Sequence, residues 1–199
     1  MSVSQMSPSA ERRLIRKASA GDGQAVEALI RAHQTALYAF MLRMSGRPEI
    51  AEDIVQEAFV RVLRNLDRFD TRFRFSTWLF TIAKRLYVNA SQKLTPTFDS
   101  ESLGRFAGTM DSPGRASVQI EIMDNVRGLL QTALHGLSTQ QREIILLFHQ
   151  QNWPIADIAS HLSIPQGTVK SHLHRARKRM RQIILEDQTM SRQVQEVWA

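Results

Sequence analysis

The chain has 199 residues, with 26 Lys and Arg against 19 Asp and Glu, and the resulting formal charge of +7 favours a polyanionic partner. Its 43% hydrophobic and 23% charged content excludes disorder throughout and suits one large domain or two small ones. The absence of cysteine excludes disulfides, thiolate zinc sites and thiol catalysis, while Met1–Ala20 lacks a signal-peptide core and the longest strongly apolar run, Ile144–Phe148, is too short to span a bilayer. The expectation is a cytosolic protein with no membrane insertion.

Strand signals are poor almost everywhere and helical periodicity is strong, so the expected fold is all-α. Asp22 can cap a helix through Val26, Leu29, Ile30, Ala36, Leu37 and Phe40 to about Ser45, where Gly46 and Pro48 stop it. A second helix starts near Glu49. At about 100° per residue it puts Val55, Phe59, Val62 and Leu66 on one side, and Asp53, Glu57, Val60, Arg61 and Arg64 on the other. Val60 in the middle of a polar face hints at a protein contact surface. Taken alone, the helix fits a solvated face with one stray valine better.

A third helix spans roughly Ser76 to Ser91. Around it, Arg68, Arg72, Arg74, Lys84, Arg85 and Lys93 interleave with Phe69, Phe73, Phe75, Trp78, Phe80 and Tyr87. Cations that hold phosphates beside rings that stack on unpaired bases suit single-stranded or melted nucleic acid. Trp78, Leu79 and Ile82 recur at helical spacing and are better read as core.

Residues 94–125 are rich in turn formers and small polar residues, among them Pro96, Gly104, Gly108, Pro113 and Gly114, and read as a flexible linker. Charge divides at the same boundaries. Residues 1–93 carry 15 basic and 9 acidic side chains, 94–125 carry 2 and 5, and 126–199 carry 9 and 5. Two basic modules on an acidic tether are expected, with domains at 11–93 and 126–186 and a tail at 187–199.

In the second module Ser138 and Gln141 form a capping-box signature before Ile144–Phe148. The strongest signal follows at Asn152–Arg181. Ile155, Ile158, Ala159 and Leu162 give a short amphipathic helix, and Pro154 suits its first turn. Ser163–Pro165 then turn into a second helix whose Val169, Leu173, Ala176 and Met180 recur at i, i+4, i+7 and i+11. Lys170, Ser171, His174, Arg177, Lys178 and Arg181 fall opposite that stripe, as in a recognition helix laid in a major groove. Gln166, Thr168, Lys170 and Ser171 are best placed for base edges or nearby phosphates. Arg175, Arg177, Lys178 and Arg181 suit backbone phosphates, which position a protein without reading sequence. Against this stands a plain basic helix facing solvent, which leaves the agreement of turn, stripes and charge to chance.

No metal, cofactor or catalytic site is expected. The only close histidine pair, His172 and His174, diverges by about 200° on a helix. No GxSxG, GxxxxGK[ST] or GxGxxG motif occurs. Asp53 and Glu57, one turn apart, read as polar surface rather than as an acid/base pair.

Taken together, LIRKASAGDGQAVEALI from Leu14, AEDIVQEAFVRVLRNLDRFD from Ala51, FSTWLFTIAKRL from Phe75, LSTQQREIILL from Leu137 and IADIASHLSIPQGTVKSHLHRARKRM from Ile155 have a specific order and spacing. Over about Leu14 to Leu185 the chain resembles a bacterial sigma factor of the extracytoplasmic-function (ECF) group, built from helical regions two and four on a linker. The resemblance implies that the Ala51–Asp70 helix docks on core RNA polymerase through Asp53, Gln56, Glu57, Val60 and Arg64. It implies that Phe69–Ser91 recognises and melts the minus-ten promoter element, capturing an unpaired base, through Arg74, Phe75, Trp78, Lys84, Arg85 and Asn89. It also implies that the helix-turn-helix reads the minus-thirty-five element through Gln166, Thr168, Lys170, Ser171, His174, Arg175, Arg177 and Lys178. An anti-sigma factor is a further implied partner.

There are departures from the family pattern. Arg85 and Asn89 stand where many relatives carry Asn and Asp. Ser163 and Asn152 stand at common glycine positions, and a left-handed backbone at Ser163 would cost about 1 kcal/mol. The rivals are a stand-alone helix-turn-helix regulator, which leaves Ala51–Lys93 without purpose, and a helical enzyme acting on nucleic acid, which lacks a visible catalytic cluster.

Overall fold

A computed structural model of the chain describes residues 7–93 and 116–186. Most of the linker expected at 94–125 and the whole tail at 187–199 lie outside these residues. The described residues are helical, with no strand among them: α1 (Pro8–Ser19), α2 (Gly23–Ser45), α3 (Pro48–Arg64), a short 3-10 turn (Leu66–Arg68), α4 (Phe75–Lys93), α5 (Ala116–His135), α6 (Thr139–His149), α7 (Ile155–Leu162) and α8 (Gln166–Glu186). Two units are present, Met1–Pro96 with Ser160–Ser163, and Thr97–Ala159 with Ile164–Ala199. Among the described residues no helix is long and apolar enough to cross a membrane.

In the first unit α2 packs on α1 and α3, and α3 packs on α4. Asp22 caps α2, its Oδ1 accepting from the Gln24 and Ala25 amides at 3.0 and 3.1 Å. Gly46 ends the same helix at φ 71°, a conformation that carries little steric cost without a Cβ. The abrupt turn to Pro48 brings α3 back along α2. Leu37, Phe40, Met41 and Met44 of α2 and Ile54, Ala58 and Val62 of α3 are all buried. The expected core set Val55, Phe59, Val62 and Leu66 is buried as well, and Ala51 and Ala58, small enough for close helix approach, extend it. From α4, Phe80 lies with its ring 5.0 Å from that of Phe40, and the Tyr87 hydroxyl donates to the Met44 carbonyl at 3.1 Å. α1 precedes the first helix that periodicity marks. Among its described side chains Ile15 and Ala18 are buried and Ala10 and Leu14 half-buried, a short inward side. Its start is nonetheless written in Ser7, whose hydroxyl accepts from the Ala10 amide, followed by Pro8.

In the second unit α8 packs on α5 and α6. The capping box is present in both directions, Ser138 Oγ accepting from the Gln141 amide and Gln141 Oε1 from the Ser138 amide, each at 3.3 Å. The core joins Ala133, Leu134, Ile144, Leu147, Trp153, Ile158, Val169, Leu173 and Ala176, all buried. α5 starts at Ala116, well before the boundary at 126 that composition suggests. Asn152, between α6 and α7, and Ser163, in the α7–α8 turn, both adopt the left-handed conformation that glycine takes most easily, at φ 53° and 55°. In that turn the Ile164 amide donates to the Ala159 carbonyl at 3.0 Å, and Pro165 leads into α8.

Candidate nucleic-acid interface

Burying Ala51, Ile54, Val55, Ala58, Phe59 and Val62 forces the opposite side of α3 outward. Asp53, Gln56, Glu57, Val60 and Arg64 are all exposed, and Val60 is 40% accessible between charged neighbours. Glu57 accepts from Arg61 Nε at 2.6 Å, an exposed pair one turn apart. The helix therefore presents a face of alternating charge around one apolar contact.

The segment before α4 sorts its aromatics by burial. Phe75, the first residue of α4, has no accessible surface, its ring lying 5.0 Å from His33, 5.7 Å from Phe69 and 6.1 Å from Trp78. Phe75, expected in the DNA-contacting set, is covered by these rings rather than open to solvent. Above it Phe69 and the half-buried Trp78 stack at 5.0 Å with 27° between planes. Phe73, by contrast, is 66% exposed. It is held out by a tight turn in which Asp70 Oδ1 accepts from the Arg72 amide at 3.0 Å and the Asp70 carbonyl from the Phe73 amide at 3.1 Å. The Arg72 guanidinium closes on the same carboxylate at 2.6 Å. Its hydrogen bonds hold the Asp70 carboxyl below the usual carboxylate range and raise Arg72 in turn. Arg74 is exposed at the edge of this turn, Lys84 is half-buried, and Arg85 and Asn89 stand exposed one turn apart on α4.

On α8, Val169, Leu173 and Ala176 are buried and Met180 is half-buried, which turns the cationic side to solvent. Gln166, Lys170, Ser171, His174, Arg175, Arg177 and Lys178 are exposed, and Thr168 is half-buried. Lys170, Ser171, His174 and Arg175 line a shallow open groove. Ser171 Oγ donates to the Gly167 carbonyl at 3.0 Å, which leaves its lone pairs as acceptors. Arg177 is tied to α6: its Nε and Nη2 lie 3.2 and 3.1 Å from His149 Nε2, and its Cζ lies 5.5 Å from the Phe148 ring centroid. Burial, then the Arg177 charge, lowers the His149 pKa. His172 is lowered in the same way, by burial and then Arg175.

The sequence alone groups Phe73 with the other rings without singling it out, and it does not pair His149 with Arg177. Apolar periodicity breaks at Phe73, which stands between Arg72 and Arg74 outside the stripe of α4. No local signal marks His149, because its partner is 28 residues away.

Residues 29–96 match the family model for sigma-70 region 2, and residues 127–180 match that for sigma-70 region 4. The chain is 32% identical over 180 residues to the ECF RNA polymerase sigma factor SigW of Bacillus subtilis, across 85% of this chain and 94% of that one. It is 30% identical over 173 residues to the ECF RNA polymerase sigma factor SigL of Mycobacterium tuberculosis, with the same coverage. Among solved structures, CnrH in complex with the cytosolic domain of CnrY is similar in fold, with a TM-score of 0.65 at 24% identity over 89% of this chain and 98% of that one. The sigma factor RpoE in complex with the anti-sigma factor NepR from Bartonella quintana is similar at a TM-score of 0.62 and 24% identity, over 81% and 98%. With region 2 on the α2–α4 bundle, region 4 on the helix-turn-helix, and identity running through both, the chain belongs to the ECF group of RNA polymerase sigma factors.

Proposed function

We propose that residues 11–93 and 126–186 work as two contact modules of a dissociable initiation factor that performs no chemistry of its own and acts in the cytoplasm. The outward face of α3, with Asp53, Gln56, Glu57, Val60 and Arg64, docks on core RNA polymerase. Arg74, Trp78, Lys84, Arg85 and Asn89 meet the minus-ten element as it melts, and Phe75 supports the ring pair beneath them. Phe73 joins this set, because an exposed ring beside cations offers a stacking platform for an unpaired base. On α8, Gln166, Thr168, Lys170, Ser171 and His174 approach base edges of the minus-thirty-five element, while Arg175, Arg177 and Lys178 hold its phosphates.

One observation carries this reading. On α3 and on α8 the apolar stripe is buried and the residues proposed as contacts stand on the opposite, largely solvent-facing side. A stand-alone helix-turn-helix regulator would have no use for the α3 face. That same face, polar with a central valine, is also the surface an anti-sigma factor would cover to block the polymerase; RpoE is seen with such a partner.

The test is run-off transcription with core polymerase, the purified chain and a promoter library. Promoter-dependent transcripts that require the chain are expected. Failure to bind core, or transcripts independent of the chain, would overturn the proposal.

A further inference from the structure

Arg177 sits on the same face of α8 as Lys170 and His174, at i+7 and i+3, so a duplex laid along that face meets its guanidinium. Unlike an ordinary exposed arginine, it is already held. His149 Nε2 accepts from both Nε and Nη2, and the ring of the preceding residue, Phe148, lies beneath the cation. An imidazole nitrogen that accepts carries no proton, so the fork requires neutral His149 with its hydrogen on Nδ1. The Phe148 and His149 rings are themselves perpendicular and 5.0 Å apart, which makes a corner for the guanidinium. Nη1 stays available for a phosphate, and an arginine fixed in advance loses less rotamer freedom when it binds one.

We propose that His149 is a positioning residue for DNA binding: as a neutral acceptor it holds Arg177 toward the backbone of the upstream element, and its protonation releases that hold. Protonated Nε2 has no lone pair to offer and adds a positive charge against the guanidinium. Among the described groups, Arg177 of α8 is the one whose charge bears on His149; the other cause of its low proton affinity is burial. Upstream-element binding therefore weakens in mild acid through this pair, below the ordinary imidazole value of 6.5.

The inference rests on α8 reading the upstream element. It is tested with the full chain bound to core polymerase, on a fluorescent duplex enriched from a randomised pool by that holoenzyme. Affinity is measured between about pH 5.5 and 8, a window that brackets imidazole titration. His149→Leu, which removes the acceptor, is expected to weaken binding about fivefold at neutral pH. Combined with Arg177→Ala it is expected to add nothing. His149→Gln keeps an acceptor and does not titrate, so it should match the unmodified chain at the alkaline end and surpass it in acid. Because all other histidines are common to both proteins, their effects cancel in that comparison. Parallel pH profiles, an undiminished affinity of His149→Leu, or an equal loss from His149→Leu with and without Arg177 would each overturn the inference alone. If neither Lys170→Ala nor Arg177→Ala weakens the duplex, the reading of α8 fails and takes the inference with it.

Discussion

Arg142, in the first turn of α6, donates from Nε to the carbonyl oxygen of Leu134 at 2.9 Å, and from Nη2 to the carbonyls of His135 and Leu137 at 3.2 and 3.4 Å. A helix leaves the carbonyls of its last turn without intrahelical partners, and here one buried guanidinium serves the end of α5 and the turn beyond it. The α5–α6 corner, which carries the helix-turn-helix, thus depends on a polar residue in the core.

Arg142→Met should therefore destabilise the second unit by about 2–3 kcal/mol, because the stem is replaced while the His135 and Leu137 carbonyls lose the guanidinium and the Leu134 carbonyl keeps only the Leu137 amide at 3.2 Å. Urea unfolding followed by the fluorescence of buried Trp153, with Trp78 and Trp198 replaced by Phe, measures it. An unchanged midpoint would contradict the role given to Arg142.

Phe75 and Phe73 should separate stability from function. Phe75→Ala removes a fully buried ring and is expected to cost about 3–5 kcal/mol of stability. Phe73→Ala is expected to change stability by no more than about 0.5 kcal/mol. It should nonetheless slow promoter opening, read as permanganate reactivity of thymines around the start site. Normal opening with Phe73→Ala would remove that residue from the melting surface.

Ser163 adopts φ 55° and Asn152 φ 53°, but asparagine tolerates the left-handed region better than serine. Ser163→Gly should raise the stability of the α7–α8 turn by up to about 1 kcal/mol, and Asn152→Gly should leave stability nearly unchanged. Equal effects in thermal unfolding would show that the strain at Ser163 is already relieved.

His135, His149 and His172 each bind a proton less readily than free imidazole, in every case chiefly through burial. The Arg142 charge adds to this at His135, where the Gln131 carbonyl opposes it. The unfolded chain therefore binds protons more tightly. The stability these groups contribute is complete above the ordinary value of 6.5 and is lost as pH falls through their lower folded values. The Trp153 unfolding midpoint should drop as pH is lowered from about 8 to 5. A midpoint that rises toward acid would reverse the sign.

Glu57→Lys reverses charge in the middle of the α3 face, and its exposed pair with Arg61 is worth less than about 1 kcal/mol, so folding should survive. Core polymerase binding should weaken, while Lys170→Ala should weaken recognition of the upstream element and leave core binding intact. Pull-down on core polymerase and duplex binding by the holoenzyme measure the two. The inverse pattern would show the modules to be exchanged.

Local chemistry determined much of this protein. The Asp22 cap, the Gly46 stop, the Ser138–Gln141 box and the apolar stripes of α3 and α8 are each contained within a turn or two of chain, so the residues alone locate the helices and their inner faces. The basic α8 face and the order of the two regions were legible for the same reason. What tertiary structure decided involves partners distant in sequence. Phe75 faces inward because His33 from α2 closes over it, leaving Phe73 as the exposed ring. Arg142 became a cap rather than a surface cation only when α6 folded against the end of α5. Arg177 meets His149 only when α8 packs on α6, and no periodicity within either helix encodes that encounter, because the geometry of a forked hydrogen bond is set by the packing of two helices.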